Sequence, residues 1–168
     1  MTRYGTVILT CFAALTAALS PSVRPTPKLI WNASASVPIG LYVVRPAGML
    51  SAADLVVVRP PEELARFLAA RGYLPHGVPL LKRVAAIPGQ IVCRNKLTIA
   101  IDGIAVGDAL ERDHLGRPLP VWQGCRAVPS GQVFLMNRQS EDSFDGRYFG
   151  SLPATTVVGR AEPLWISQ

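Results

Sequence analysis

The sequence predicts a mainly β domain with one inserted helix, set behind an N-terminal membrane-spanning helix. Three observations carry this reading. Short runs rich in β-branched residues recur between Gly and Pro punctuation from Gly40 onward. A single later stretch, "PPEELARFLAARGYL" (Pro60 to Leu74), has helical spacing instead. No charged residue lies between Arg3 and Arg24.

The elements follow in order. The uncharged segment Tyr4 to Val23 is 20 residues, which as a helix spans roughly 30 Å, about the hydrocarbon thickness of a bilayer. A cleaved signal peptide, an uncleaved anchor and a buried helix compete for it, and the uncleaved anchor is preferred. Residues 1–23 are therefore assigned to the anchor, 24–30 to a Pro-rich linker and 31–168 to one exported domain. Expected strands are "GLYVV" (Gly40 to Val44), "DLVVV" (Asp54 to Val58), "LLKRVAAI" (Leu80 to Ile87), "QIVCR" (Gln90 to Arg94), "LTIAIDG" (Leu97 to Gly103), "QVFLMN" (Gln132 to Asn137) and "TVVGRA" (Thr156 to Ala161). The helix between the second and third has Pro60 and Pro61 at its start and Glu62 and Glu63 in its first turn. Its apolar stripe runs through Leu64, Phe67 and Leu68, and Gly72 follows its last turn. Asp102-Gly103 reads as a hairpin turn, and "RDHLGRPLP" (Arg112 to Pro120) as a loop.

Composition narrows the function. An apolar fraction of 49% argues against disorder, and 168 residues suffice for one real core. The net charge of +6 comes mostly from scattered arginines, with no basic run and no interleaved aromatics, so a nucleic-acid partner is not expected. A basic surface equally suits an anionic membrane. His76 and His114 both sit in turn-like contexts, unsuited to a Ser-His-Asp triad. No Cys/His spacing fits zinc and no glycine loop fits phosphate, so neither metal nor cofactor is expected. Cys93 and Cys125 form one disulfide if the domain is exported, or remain two buried thiols.

Only three lysines accompany 14 arginines: Lys28, Lys82 and Lys96. Lys82 lies in "VPLLKRVAAIPGQ", where strand alternation puts it on one face with Leu80 and Val84. A lysine on an apolar face loses affinity for its proton and becomes a base near neutral pH; the competing reading is a snorkelling lysine on an edge strand. Upstream, "NASASVPIGLY" holds Ser34 and Ser36 before Pro38 and Gly40. Those residue types also make an ordinary turn. A serine hydroxyl needs a base to become a nucleophile, and a lysine can be that base. Ser34 and the Ser36 N–H are then candidate donors to an oxyanion. The segment "MNRQSEDSFDGRYFGSLP" (Met136 to Pro153) reads as a solvated loop. Alternatively it is an extended stretch in which Ser143, Asp145 and Arg147 share a face and brace the lysine.

Together, "NASASVPIGLY", "LLKRVAAIPGQ" and "SFDGRYFG" resemble the type I signal peptidase family of Ser/Lys peptidases, most closely its TraF-type conjugative-transfer branch. The resemblance runs from about Trp31 to Leu164 and implies a signal-peptidase-like fold and a membrane-anchored serine endopeptidase. It implies Ser36 as nucleophile, Lys82 as general base, Ser34 as side-chain oxyanion donor, and Asp145 with Ser143 and Arg147 as support. The sequence departs from the pattern at Gly146, where serine is usual, and at Ala86, where glycine is usual. The implied partners are an exported, pilin-like precursor, the inner membrane and components of a secretion complex, with the catalytic domain in the periplasm. Substrate pockets are expected to be shallow and apolar, favouring small side chains. A general signal peptidase, a non-catalytic periplasmic scaffold and a self-cleaving repressor core are the alternatives; the last lacks DNA-binding helices.

Overall fold

The computed structural model describes residues 3–19 and 28–167. Helix α1 (Arg3–Leu19) has 17 residues, roughly 26 Å at 1.5 Å per residue. Among the described residues no helix is long and apolar enough to cross a membrane. Part of the expected anchor, 1–2 and 20–23, lies outside the described residues, as does most of the linker.

Eleven strands follow, in two sheets among the described residues. The larger is built from β1 (Leu29–Asn32), β2 (Gly40–Arg45), β3 (Leu55–Val58), β4 (Leu80–Ala86), β9 (Gln132–Leu135), β10 (Ser151–Pro153) and β11 (Val157–Ile166), in the order β1-β2-β11-β3-β4-β9-β10. The smaller has the order β7-β6-β5-β8, from β5 (Ile91–Asn95), β6 (Thr98–Ile101), β7 (Ile104–Asp108) and β8 (Gly124–Ala127). Every pairing is antiparallel. The β6–β7 turn places Asp102 and Gly103 at φ of 50° and 80°, the two positive angles that a type I′ hairpin demands.

Alternation along β4 sorts its side chains between two cores. Leu80 and Val84 join Val56, Val58, Val133 and Leu135 under helix α2 (Glu62–Ala70), which contributes Leu68. Leu81 faces the other way, against Val57, Leu55, Tyr42 and Val37. Lys82 shares the first face, as its strand position predicts. The third core lies between the sheets, where Val92, Ile99 and Ile101 meet Ala86, Phe134 and Met136. A disulfide joins Cys93 on β5 to Cys125, its direct cross-strand partner on β8.

The segment after β9 corrects the sequence reading. It is not extended across Ser143, Asp145 and Arg147. The chain turns at Asp145, whose carboxylate accepts from the Arg147 N–H and caps the short helix α3 (Gly146–Phe149). Sequence alternation therefore does not put the three side chains on one face: the turn folds Arg147 back onto Asp145, while the Ser143 hydroxyl meets Lys82.

Candidate active site

Ser36 sits in a loop organised by one buried carboxamide. Asn32 Nδ2 donates to the carbonyls of Ser34, Val37 and Pro38 at 2.8, 3.0 and 3.0 Å. Its Oδ1 accepts from the Ser34 N–H and the Ser34 hydroxyl at 3.2 and 3.0 Å. Tyr42, buried on β2, adds a 2.6 Å hydrogen bond to the Pro38 carbonyl. These bonds do not use the Ser36 N–H. The hydroxyls of Ser34 and Ser36 are 3.1 Å apart. Asn32 Oδ1 can only accept, so the Ser34 proton points there. The proton between the two serines is therefore given by Ser36.

Lys82 reaches the same place from β4. It is 4% exposed, and its Nζ donates to Ser143 Oγ at 2.6 Å. Burial disfavours the ammonium and lowers its pKa to about 8. Asp145 opposes that shift and Arg147 adds to it. Among the described residues no hydrogen bond joins Lys82 to Ser36. Both side chains, with Ser34 and Ser143, line one cavity of about 780 Å³. Its remaining wall is chiefly apolar, with Leu68, Leu74, Leu110, Leu119, Phe144 and Tyr148 prominent. The loops after α2 and β7 form much of that wall, which local sequence does not announce.

Asp145 and Arg147 stand behind the cavity wall. Asp145 is fully buried, and its two oxygens accept from Arg147 Nε and Nη2 at 2.9 and 3.0 Å. Arg147 Nη2 also donates to the carbonyls of Ser140 and Ser143, and Nη1 to that of Asp108. A planar guanidinium with five donors suits this task. The pair therefore fixes the loop that presents Ser143 to Lys82. Gly146 leaves room for this packing: a Cβ there would lie 2.7 Å from both the Leu135 carbonyl and the Phe134 ring. Serine at this position has no space without moving strand β9. Gly146→Ser is expected to lower stability by about 1–3 kcal/mol, read as a fall in the unfolding midpoint.

Two buried asparagines escaped the sequence reading as site residues. Asn32 arranges the serine loop; Asn137 bonds to the backbone on both sides of Lys82. Each stands beside a candidate in sequence or strand order, the one signal that pointed to them. His76 lies against Glu62, away from the hydroxyls, and His114 is a wall residue. Among the described residues no three His, Cys, Asp or Glu side chains gather to hold a metal ion.

A desolvated amine and serine hydroxyls opening on one cleft are the kind of groups that a nucleophile–base pair needs. The chain belongs to the signal peptidase, peptidase S26 family, which it matches over residues 1–166. It is 38% identical over 141 residues to the "Probable conjugal transfer protein TraF" of Sinorhizobium fredii, covering 78% of this chain and 73% of that protein. It is 36% identical over 148 residues to the "Conjugal transfer protein TraF" of Agrobacterium fabrum, covering 80% of each. Among solved structures, a signal peptidase I from Enterococcus faecalis V583 aligns with a TM-score of 0.41 at 20% identity, over 68% of this chain and 97% of that one.

Proposed function

We propose that this peptidase is a serine endopeptidase in which Ser36 attacks and Lys82 is the general base. Its substrate is an exported precursor, a conjugative pilin subunit, met at the periplasmic face of the inner membrane. The observation that carries the reading is Lys82, desolvated to a pKa of about 8 and opening on the same cavity as Ser36. Similarity to conjugal transfer proteins supports the choice of substrate and of a secretion apparatus as its setting. Anchoring through residues 1–23 is part of the same proposal.

The chemistry follows from the groups present. Neutral Lys82 takes the Ser36 proton as Oγ attacks the scissile carbonyl. The Ser34 hydroxyl turns from Asn32 to the developing oxyanion, beside the unengaged Ser36 N–H. Lys82 then returns the proton to the leaving amine, giving an acyl-enzyme. Water releases a linear product; attack by the substrate's own N-terminus releases a cyclic one.

The test is the intact mass of a pilin precursor expressed with this protein or with Ser36→Ala. A product formed only with the unaltered chain is expected, and one lighter by a water than the linear fragment identifies cyclisation. Equal processing by the folded Ser36→Ala protein would sink the proposal.

A further inference from the structure

Lys82 lies where the larger sheet changes partner. On one side β4 is paired with β3 throughout this region, Val56 standing opposite Lys82. On the other side β9 pairs only with the far end of β4, from Val84 onward, with a register shift before Ala86. The Met136 N–H still reaches the Arg83 carbonyl at 2.9 Å, and the chain then departs. The carbonyl of Leu81 and the N–H of Arg83 are thereby left with no strand to meet. Asn137 supplies both partners with one side chain. Its Nδ2 donates to the Leu81 carbonyl at 3.1 Å, and its Oδ1 accepts from the Arg83 N–H at 2.9 Å. A carboxamide has the donor and acceptor of a peptide unit, so it continues the ladder for the one residue between them.

The bracing then closes on itself. The Asn137 N–H donates to Asp145 Oδ2 at 3.0 Å, Asp145 binds Arg147, and Arg147 holds the Ser143 carbonyl. The Ser143 hydroxyl meets Lys82 Nζ. Lys82 is thus gripped at its backbone and at its tip by two arms of one network. Asn137 is 2% exposed, so water does not readily replace it.

We propose that Asn137 is a positioning residue for Lys82: its carboxamide stands in for the missing strand, holds the Lys82 backbone in place and keeps water from the amine. The inference rests on the reading of Lys82 as the base. Without Asn137 the two exposed backbone groups recruit water, the amine is solvated, and its proton is held more tightly. The charged and titratable groups that bear on Lys82 are Asp145 and Arg147 after β9, with Asp113, His114 and Asp142 in the same cavity wall; β3 presents apolar valines.

The scarcity of lysine makes this measurable without a substrate. In the full chain labelled with 15N at lysine Nζ, three amines titrate, and the signal missing in Lys82→Met is Lys82. A midpoint near 8 is expected in the unaltered chain, rising by about half a unit or more in Asn137→Ala. Asn137→Gln, with the same carboxamide displaced by one methylene, gives the same direction and serves if the alanine variant does not fold. Val133→Ala, a buried change on β9 that removes none of these hydrogen bonds, controls for simple loss of stability and is expected to leave the midpoint in place. An unaltered midpoint near 8 that does not move in the Asn137 variants, or moves equally in Val133→Ala, overturns the positioning role alone. A midpoint near 10.5 in the unaltered chain overturns the base assignment and the inference with it.

Discussion

Lys82→Met is expected to abolish precursor cleavage and, at neutral pH, to make the domain more stable. The loss of activity should be at least about 10⁴-fold, the scale seen when a member of a nucleophile–base unit is removed. The gain in stability comes from linkage. Folding lowers the lysine pKa from 10.5 to about 8, so between these values the unfolded chain binds more protons than the folded one. Stability from this group therefore rises as pH climbs from 8 to 10.5, and below 8 its full penalty, about 3 kcal/mol, is present. Methionine keeps the length and apolar stem without the charge, so the penalty disappears. Loss of the hydrogen bond to Ser143 offsets part of it. Urea unfolding at pH 7 and pH 10 checks this: the advantage of the variant should shrink at the higher pH. In the unaltered enzyme kcat/KM should rise through pH 8 as Lys82 loses its proton. A variant that cleaves normally, or is equally destabilised at both pH values, contradicts the assignment.

Arg147→Ala should have the largest effect on folding. Arg147 is 1% exposed and pairs with Asp145, which is 0% exposed. Removing one member of a buried ion pair strands the other's charge and costs about 3–5 kcal/mol. In a domain of this size that lowers Tm on the order of 10 °C. Arg147→Lys should restore little, because an ammonium cannot span both Asp145 oxygens and three carbonyls at once. Calorimetry distinguishes the outcomes; a Tm within a degree or two of the unaltered chain would mean that the pair contributes little. The remaining activity should shift to higher pH, since Arg147 helps hold the Lys82 pKa down and Asp145 raises it.

Much of the fold could be read from local pattern. The runs at Gly40, Leu55, Leu80, Ile91, Thr98, Gln132 and Val157 became strands because β-branched residues alternate there between turn signals. Helix α2 followed its prolines and acidic first turn. Strand β7 was announced only by the Asp102-Gly103 hairpin turn before it, and β1, β8 and β10 were missed for a shared reason: they have three or four residues and little burial pattern, and pairing with a neighbour defines them. Strand β11 runs five residues past its expected end, through Pro163, because a register shift there absorbs the proline.

The site was legible to the extent that it depends on strand alternation, which placed Lys82 on the apolar face. It was not legible where one polar side chain answers distant backbone. Asn32 and Asn137 look like turn residues in sequence, and only tertiary neighbours reveal what they hold. The pairing of Asp145 with Arg147 depends on a turn of four residues, too short to leave a periodic trace.

Joining Cys93 to Cys125 turns the intervening chain into a closed hoop with a sequence separation of 32. The hoop carries more than the small sheet. It includes Asp108, whose carbonyl receives Arg147, and Leu110 and Leu119, which wall the cavity. These groups belong to a connection with little regular structure, yet both its ends are welded to one strand pair. Thermal excursions of that wall are those of a tethered ring rather than a free strap. A covalent bond on the outer strand β8, whose residues are all exposed, thus limits how far the cleft beside Ser36 can gape.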